Sequence, residues 1–166
     1  MLLYLVRHGI AIDRDDPKCP EEAERYLTEE GIKKTREVAR GIALLMDAPE
    51  IFLSSPYVRA WQTAEIFAEA FEIPKQKIRK TALLLPGTDV GSLFREFAKN
   101  KDAESAMCFG HAPHLDEVIA AVLRCKRDAT GLKKAGVACL DLNRVAPPSG
   151  MLSWLATPKL LKKIKS

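Results

Sequence analysis

Residues Leu2–Gly9 read LLYLVRHG. Five apolar residues stop abruptly at a cation, an imidazole and a glycine. A short run that is apolar at every position suits a strand covered on both faces, whereas a surface helix would show a polar stripe. Strands covered on both faces belong to parallel sheets flanked by helices. Such sheets bind ligands at the carboxyl ends of their strands. Arg7 and His8 stand at such an end, so one octet bears on both the fold and the place of the site.

The pattern repeats along the chain. IFLSS (Ile51–Ser55), IRKTALLL (Ile78–Leu85), SAMCF (Ser105–Phe109), GVACLDL (Gly136–Leu142) and GMLSWLA (Gly150–Ala156) read as further strands. Between them, apolar residues recur at helical spacing. Thr28 caps a helix with Glu29 and Glu30 in its first turn; Ile32, Thr35, Val38, Ala39, Ile42, Leu45 and Met46 form its inner face. Ser55 and Pro56 read as the cap and first-turn proline of the next helix, which turns Ala60, Trp61, Ala64, Phe67, Ala68 and Phe71 inward. Asp89 caps a short helix, and Leu115, Val118, Ile119 and Val122 mark another. The alternation predicts an α/β three-layer sandwich: a mostly parallel central sheet, helices on both faces, and an antiparallel edge where the last two strands pair as a hairpin. One domain over residues 1–166 is expected, with a basic tail from about residue 158.

Hydrophobic residues make up 47% and charged residues 29%, the balance of a globular chain that can bury a core. No apolar run approaches a membrane span, and the N-terminal run is too short for a secretion signal, so a cytoplasmic protein with no membrane partner is expected. Cys19, Cys108, Cys125 and Cys139 lack the close spacing of a zinc or redox motif and are expected reduced. Net charge is +4, but Lys159, Lys162, Lys163 and Lys165 all lie in the tail PKLLKKIKS. Removing those four leaves a formally neutral chain, which argues against a nucleic-acid-binding face. The tail itself reads as a terminal helix packing Leu160, Leu161 and Ile164 on the body, or as a basic rim for an acidic protein or anionic ligand.

The polar residues at the strand ends make a chemical set. Arg7, His8 and Gly9 follow the first strand, Ser55 and Arg59 the second, Gly110 and His111 the fourth. Two guanidiniums can grip phosphoryl oxygens and remain charged. A neutral imidazole is a competent nucleophile near neutral pH, and its phosphoramidate can be hydrolysed by water. A second imidazole can donate to the oxygens in the transition state. Gly9 is expected to permit close approach of the phosphate.

LVRHG, LTEEG, SSPYVRAWQTA and FGHAP, in that order, resemble the histidine phosphatase (phosphoglycerate mutase-like) superfamily. The short length and the closing SGMLSWLATP resemble its SixA-type branch, the phosphohistidine phosphatases. The resemblance implies that His8 is the phosphorylated nucleophile, that Arg7 and Arg59 bind the phosphoryl oxygens together with Gly9, and that His111 completes the pocket. It implies no metal or organic cofactor.

One position departs from the family pattern. Many members carry a glutamate after the third strand as general acid, and Leu83 stands there instead. Asp89, Asp13 and Glu65 are the substitutes to consider, Asp89 reading equally well as a helix cap. An alkoxide leaves poorly without a proton donor, whereas the imidazole of a phosphohistidine can leave already protonated. The expected partner is therefore a phosphorylated protein bearing a histidine phosphotransfer domain. A phosphatase of small phosphorylated metabolites and a non-catalytic phosphate-binding module are the alternatives.

Overall fold

The structure is a computed structural model and describes residues 1–100, 102–125 and 129–164. Six strands form one sheet: β1 Leu2–Arg7, β2 Ile51–Ser54, β3 Ile78–Lys80, β4 Ser105–Gly110, β5 Val137–Arg144 and β6 Ser149–Ala156. Their spatial order is β3-β2-β4-β1-β5-β6. The first four strands run parallel to one another. β5 is antiparallel to β1 and β6 returns antiparallel beside β5, giving the antiparallel edge expected from the hairpin. Five helices cover the sheet: α1 Glu29–Ala43, α2 Val58–Ala70, α3 Val90–Phe97, α4 His114–Leu123 and α5 Pro158–Leu161.

β1 lies between β4 and β5, as its unbroken apolar run requires. Its side chains alternate between two cores. Tyr4 and Val6 join one core with Val38 and Ile42 of α1, Phe67 of α2 and Leu161 of α5. Leu3 and Leu5 join the other with Leu93, Phe94 and Phe97 of α3 and Leu115 and Ile119 of α4. Each such side chain contributes roughly 1.5–3 kcal/mol on burial, so both faces hold β1 in register with β4. That register sets Arg7 beside Gly110 and brings two strand ends to one rim.

The structure corrects four boundaries. α2 begins at Val58 with Tyr57 as its cap residue, so Ser55 is not the cap and Pro56 lies outside the helix. β3 ends at Lys80 because the Thr81 hydroxyl accepts from the Leu83 N–H and starts a tight helical turn over Ala82–Leu84. α1 stops before Leu45, which is exposed. In the tail, Leu161 and Ile164 pack on the body while Leu160 faces solvent; Lys165 lies outside the described residues. All four cysteines are free, Cys108 and Cys139 being buried. Among the described residues no helix is long and apolar enough to cross a membrane.

Candidate active site

The ends of β1, β2 and β4 bring His8, Arg59 and His111 together, only 8%, 3% and 2% exposed. His8 is held by its backbone N–H, which donates to Gly110 O at 3.0 Å. Its ring lies with Nδ1 2.7 Å from the carbonyl oxygen of Gly9. A carbonyl can only accept, so the proton sits on Nδ1 and Nε2 keeps its lone pair. Arg59 Nε donates to that Nε2 at 3.3 Å. Burial drives the His8 pKa down to about 3, the Gly9 bond opposing and the charges of Arg59, Arg7 and Lys134 reinforcing the shift. His8 is therefore a neutral imidazole across the physiological range.

Arg59 sits in the first turn of α2, and Thr63 one turn later locks that turn to β1. The Thr63 hydroxyl donates to Arg59 O at 2.7 Å and accepts from the Gly9 N–H at 3.1 Å. The Gly9 N–H therefore already has a protein acceptor in Thr63. Glycine is required there for packing, because a Cβ would lie 2.4 Å from the Thr35 hydroxyl oxygen of α1. The Arg59 guanidinium also lies 5.0 Å from the Tyr57 ring centroid, a cation–π contact.

Arg7 Nη1 donates to Leu132 O at 2.8 Å, and its buried Nε has no partner among the described residues. Leu132 is itself positioned by Asp116 of α4, whose carboxylate accepts from the Leu132 N–H at 2.9 Å and the Thr130 hydroxyl at 2.8 Å. His111 Nε2 lies 2.8 Å from the Ser55 hydroxyl, while its buried Nδ1 has no partner among the described residues. This is what Ser55 does instead of capping α2. The His8 and His111 ring centroids are 5.2 Å apart, and the Tyr57 ring meets His111 edge-on at the same distance. Burial first, then the neighbouring His8, against which a second positive charge is disfavoured, and the charge of Arg59 lower the His111 pKa to about 3.

A carboxylate absent from the sequence-based site also reaches it. Glu22, from the polar loop before α1, accepts from Arg59 Nη2 at 2.7 Å, and its backbone carbonyl accepts from Arg59 Nη1 at 2.7 Å. Arg14 and Arg25 bind the same carboxylate at 3.0 and 3.2 Å. Hydrogen bonding from Arg14 first, then the charge of Arg59, lowers the Glu22 pKa to about 2 against its partial desolvation.

The three candidate acids each have other partners or lie exposed. Asp89 caps α3, accepting from the N–H groups of Gly91 and Ser92 and from Arg95. Bonds from Ser92 and Arg95 lower its pKa, which keeps it ionised and unsuited to donate a proton. Glu65 pairs with Lys75 at 3.3 Å, and Asp13 is exposed, its carboxylate accepting from the Asp15 N–H. The Leu83 side chain packs on the second core, and its carbonyl accepts from Thr88 Oγ1 at 3.0 Å and lies 3.1 Å from His114 Nε2. His114 is thus a buried tie between α4 and the turn after β3. Among the described residues no cluster of His, Cys, Asp and Glu could hold a metal ion.

A family model for the histidine phosphatase superfamily (branch 1) matches residues 3–84. An uncharacterized protein of Picosynechococcus sp. is 36% identical over 140 residues, 82% of each chain. The chain belongs to the histidine phosphatase superfamily. This histidine phosphatase has the SixA-type fold: it superposes on the protein histidine phosphatase SixA complexed with tungstate with a TM-score of 0.85, at 23% identity over 97% of this chain and 99% of that one. A mycobacterial glucosyl-3-phosphoglycerate phosphatase complexed with VO3 shares the fold more distantly, with a TM-score of 0.73 at 17% identity over 94% and 99%.

Proposed function

We propose that this histidine phosphatase removes phosphate from phosphohistidine on a phosphotransfer protein, through a phosphohistidine of its own at His8. The His8 Nε2 lone pair attacks phosphorus as the P–N bond of the substrate breaks. That electron pair stays on the departing imidazole, which leaves neutral because its other nitrogen is already protonated. Arg7 and Arg59 hold the phosphoryl oxygens, and His111 donates to another; its buried, unpartnered Nδ1 supports that role. Water then attacks phosphorus, the P–Nε2 bond breaks, and Nε2 recovers its lone pair.

The observation that carries the choice of substrate is the site's carboxylate inventory. Leu83 turns into the core, Asp89 is bound in a cap, and Glu22 is held ionised by three arginines. None is a proton donor for an alkoxide, which a P–N substrate does not need. Phosphate release should therefore be much faster from a phosphohistidine-bearing phosphotransfer protein than from a panel of phosphomonoesters. His8→Ala should abolish it. Rapid monoester turnover by the wild type would overturn the P–N reading and favour a phosphatase of small metabolites.

A further inference from the structure

Next to Arg7 lies a cavity of about 660 Å³ whose charged lining is entirely positive: Arg7, Lys34, Lys133, Lys134, Lys159 and Lys162. Three parts of the chain build it. Lys34 projects from α1, where it pairs with Glu30. Lys133 and Lys134 come from a turn that the catalytic rim itself fixes. Leu132 O accepts from Arg7 Nη1, and the Ala135 N–H donates to the carbonyls of Arg7 and His8 at 3.0 and 3.1 Å. Ala135 takes a φ of 57°, a left-handed conformation that turns the chain sharply at this point. Lys159 and Lys162 lie one turn apart at α5. That helix is anchored by buried Leu161, whose carbonyl sits so close to Gly41 of α1 that a Cβ there would approach it to 2.3 Å.

Lys133, Lys134, Lys159 and Lys162 make no ion pair among the described residues. Like charges around a concavity repel, so the grouping does not serve stability; a cleft of one sign concentrates anions and focuses its field on what enters. The volume is that of a small-ligand site, and lysine ammonium groups are mobile point charges that suit phosphate and carboxylate oxygens. Arg7 forms part of the wall, so an anion seated here is a neighbour of one held at His8.

We infer that the cavity is a second anion subsite, taking a phosphate or carboxylate group that the substrate carries beside the phosphoryl group being transferred. The inference rests on His8 as the phosphoryl acceptor and adds what the rest of the substrate must bear. Two sources share this chemistry: a second phosphate on a small molecule, or an acidic side chain next to a phosphohistidine on a protein.

The test is equilibrium binding of orthophosphate, pyrophosphate and tripolyphosphate to the wild type, to Lys159→Ala/Lys162→Ala, and to the charge-matched control Lys77→Ala/Lys99→Ala. In the wild type the longer anions should bind about tenfold tighter than orthophosphate, and the cavity variant should lose most of that gain. Orthophosphate affinity should stay the same in all three proteins, and the control should behave as wild type. Equal binding of all three anions, or an equal loss in both variants, overturns the subsite. A KM that rises in the cavity variant for a phosphohistidine protein but not for phosphoramidate assigns the second group to the protein. Preferential turnover of bisphosphorylated small molecules, lost in that variant, assigns it to a metabolite. Binding needs no turnover, so failure of the P–N reading leaves this measurement standing, and the reverse also holds.

Discussion

Glu22→Gln should make the enzyme bind orthophosphate more tightly. Arg59 offers both terminal nitrogens to Glu22, one to the carboxylate and one to the backbone carbonyl, each at 2.7 Å. A phosphoryl group approaching His8 Nε2 needs donors from the same guanidinium, so it competes with an anion the protein already supplies. The Arg59 side chain is 4% exposed and that of Glu22 is 41% exposed. The pair thus lies between an exposed ion pair, worth about 0.2–1 kcal/mol, and a buried charge-assisted bond, worth about 1.5–3 kcal/mol. Taking about 1 kcal/mol, relief of the competition should lower the orthophosphate inhibition constant roughly fivefold. Glutamine retains the shape and one acceptor oxygen, so Arg59 keeps its place. The assay is inhibition of turnover by orthophosphate and by tungstate, at neutral pH and fixed ionic strength. If both anions bind as weakly as before, or more weakly, Glu22 only orients Arg59 and the competition argument is wrong.

Asp89→Ala should lower the thermal midpoint by uncapping α3 and leave turnover intact; a stable variant that loses turnover would restore Asp89 as the acid. Asp116→Ala should release Leu132 and raise KM through Arg7 by about threefold to tenfold while kcat changes less, in steady-state kinetics at constant pH. His8 and His111 should make the fold sensitive to acid. Their pKa values are about 3 folded against an ordinary 6.5, so the unfolded chain binds more protons between those limits and stability falls as pH drops through that window. The slope should approach about 1.4 kcal/mol per pH unit for each histidine, and denaturant unfolding of His111→Ala should show a shallower one. Glu22, with its pKa held near 2, gives stability that is present above the ordinary carboxylate value of 4.5 and lost below it, as comparison of wild type with Glu22→Gln at low pH should show.

The parts of the fold written as consecutive apolar residues were legible. β1 is buried on both faces, so its sequence carries no alternation to misread, and its end places Arg7 and His8 without further information. The same holds for β4 and His111. The errors fall where a hydroxyl chooses between local and distant partners. Ser55 followed by Pro56 is a sound local cap, but the Ser55 hydroxyl goes to His111, 56 positions away. Thr81 made the opposite choice, bonding locally to Leu83 and cutting β3 short. Glu22 was invisible for a related reason. It lies in a loop without periodicity, and its partner Arg59 is 37 positions distant, so no spacing rule connects them. Gly9 has a second duty that no local pattern announces: a Cβ there would meet the Thr35 hydroxyl of α1, and its carbonyl accepts from the His8 ring.

The electrostatics of the site follow from two features, the burial of two imidazoles and the crowding of positive charge around them. Burial depresses both histidines most; the charge of Arg59 adds to it at both, and those of Arg7 and Lys134 at His8. This crowd would be costly if the imidazoles were charged, so it keeps them neutral, which is the state a nucleophile needs. The same crowd is what a phosphoryl dianion needs. A carboxyl group set at this rim to protonate an alkoxide would be drawn by these cations toward its ionised form, and that charge would favour protonation of His8. Such an acid would have to be shielded from Arg59 to keep its proton. In this chain the conflict does not arise: the imidazole is neutral, and among the described residues the one carboxylate bonded to Arg59, Glu22, comes from a half-exposed loop where an incoming anion can compete with it. A site so arranged is well matched to a leaving group that needs no proton, and that is the physical content of reading it as a phosphohistidine phosphatase.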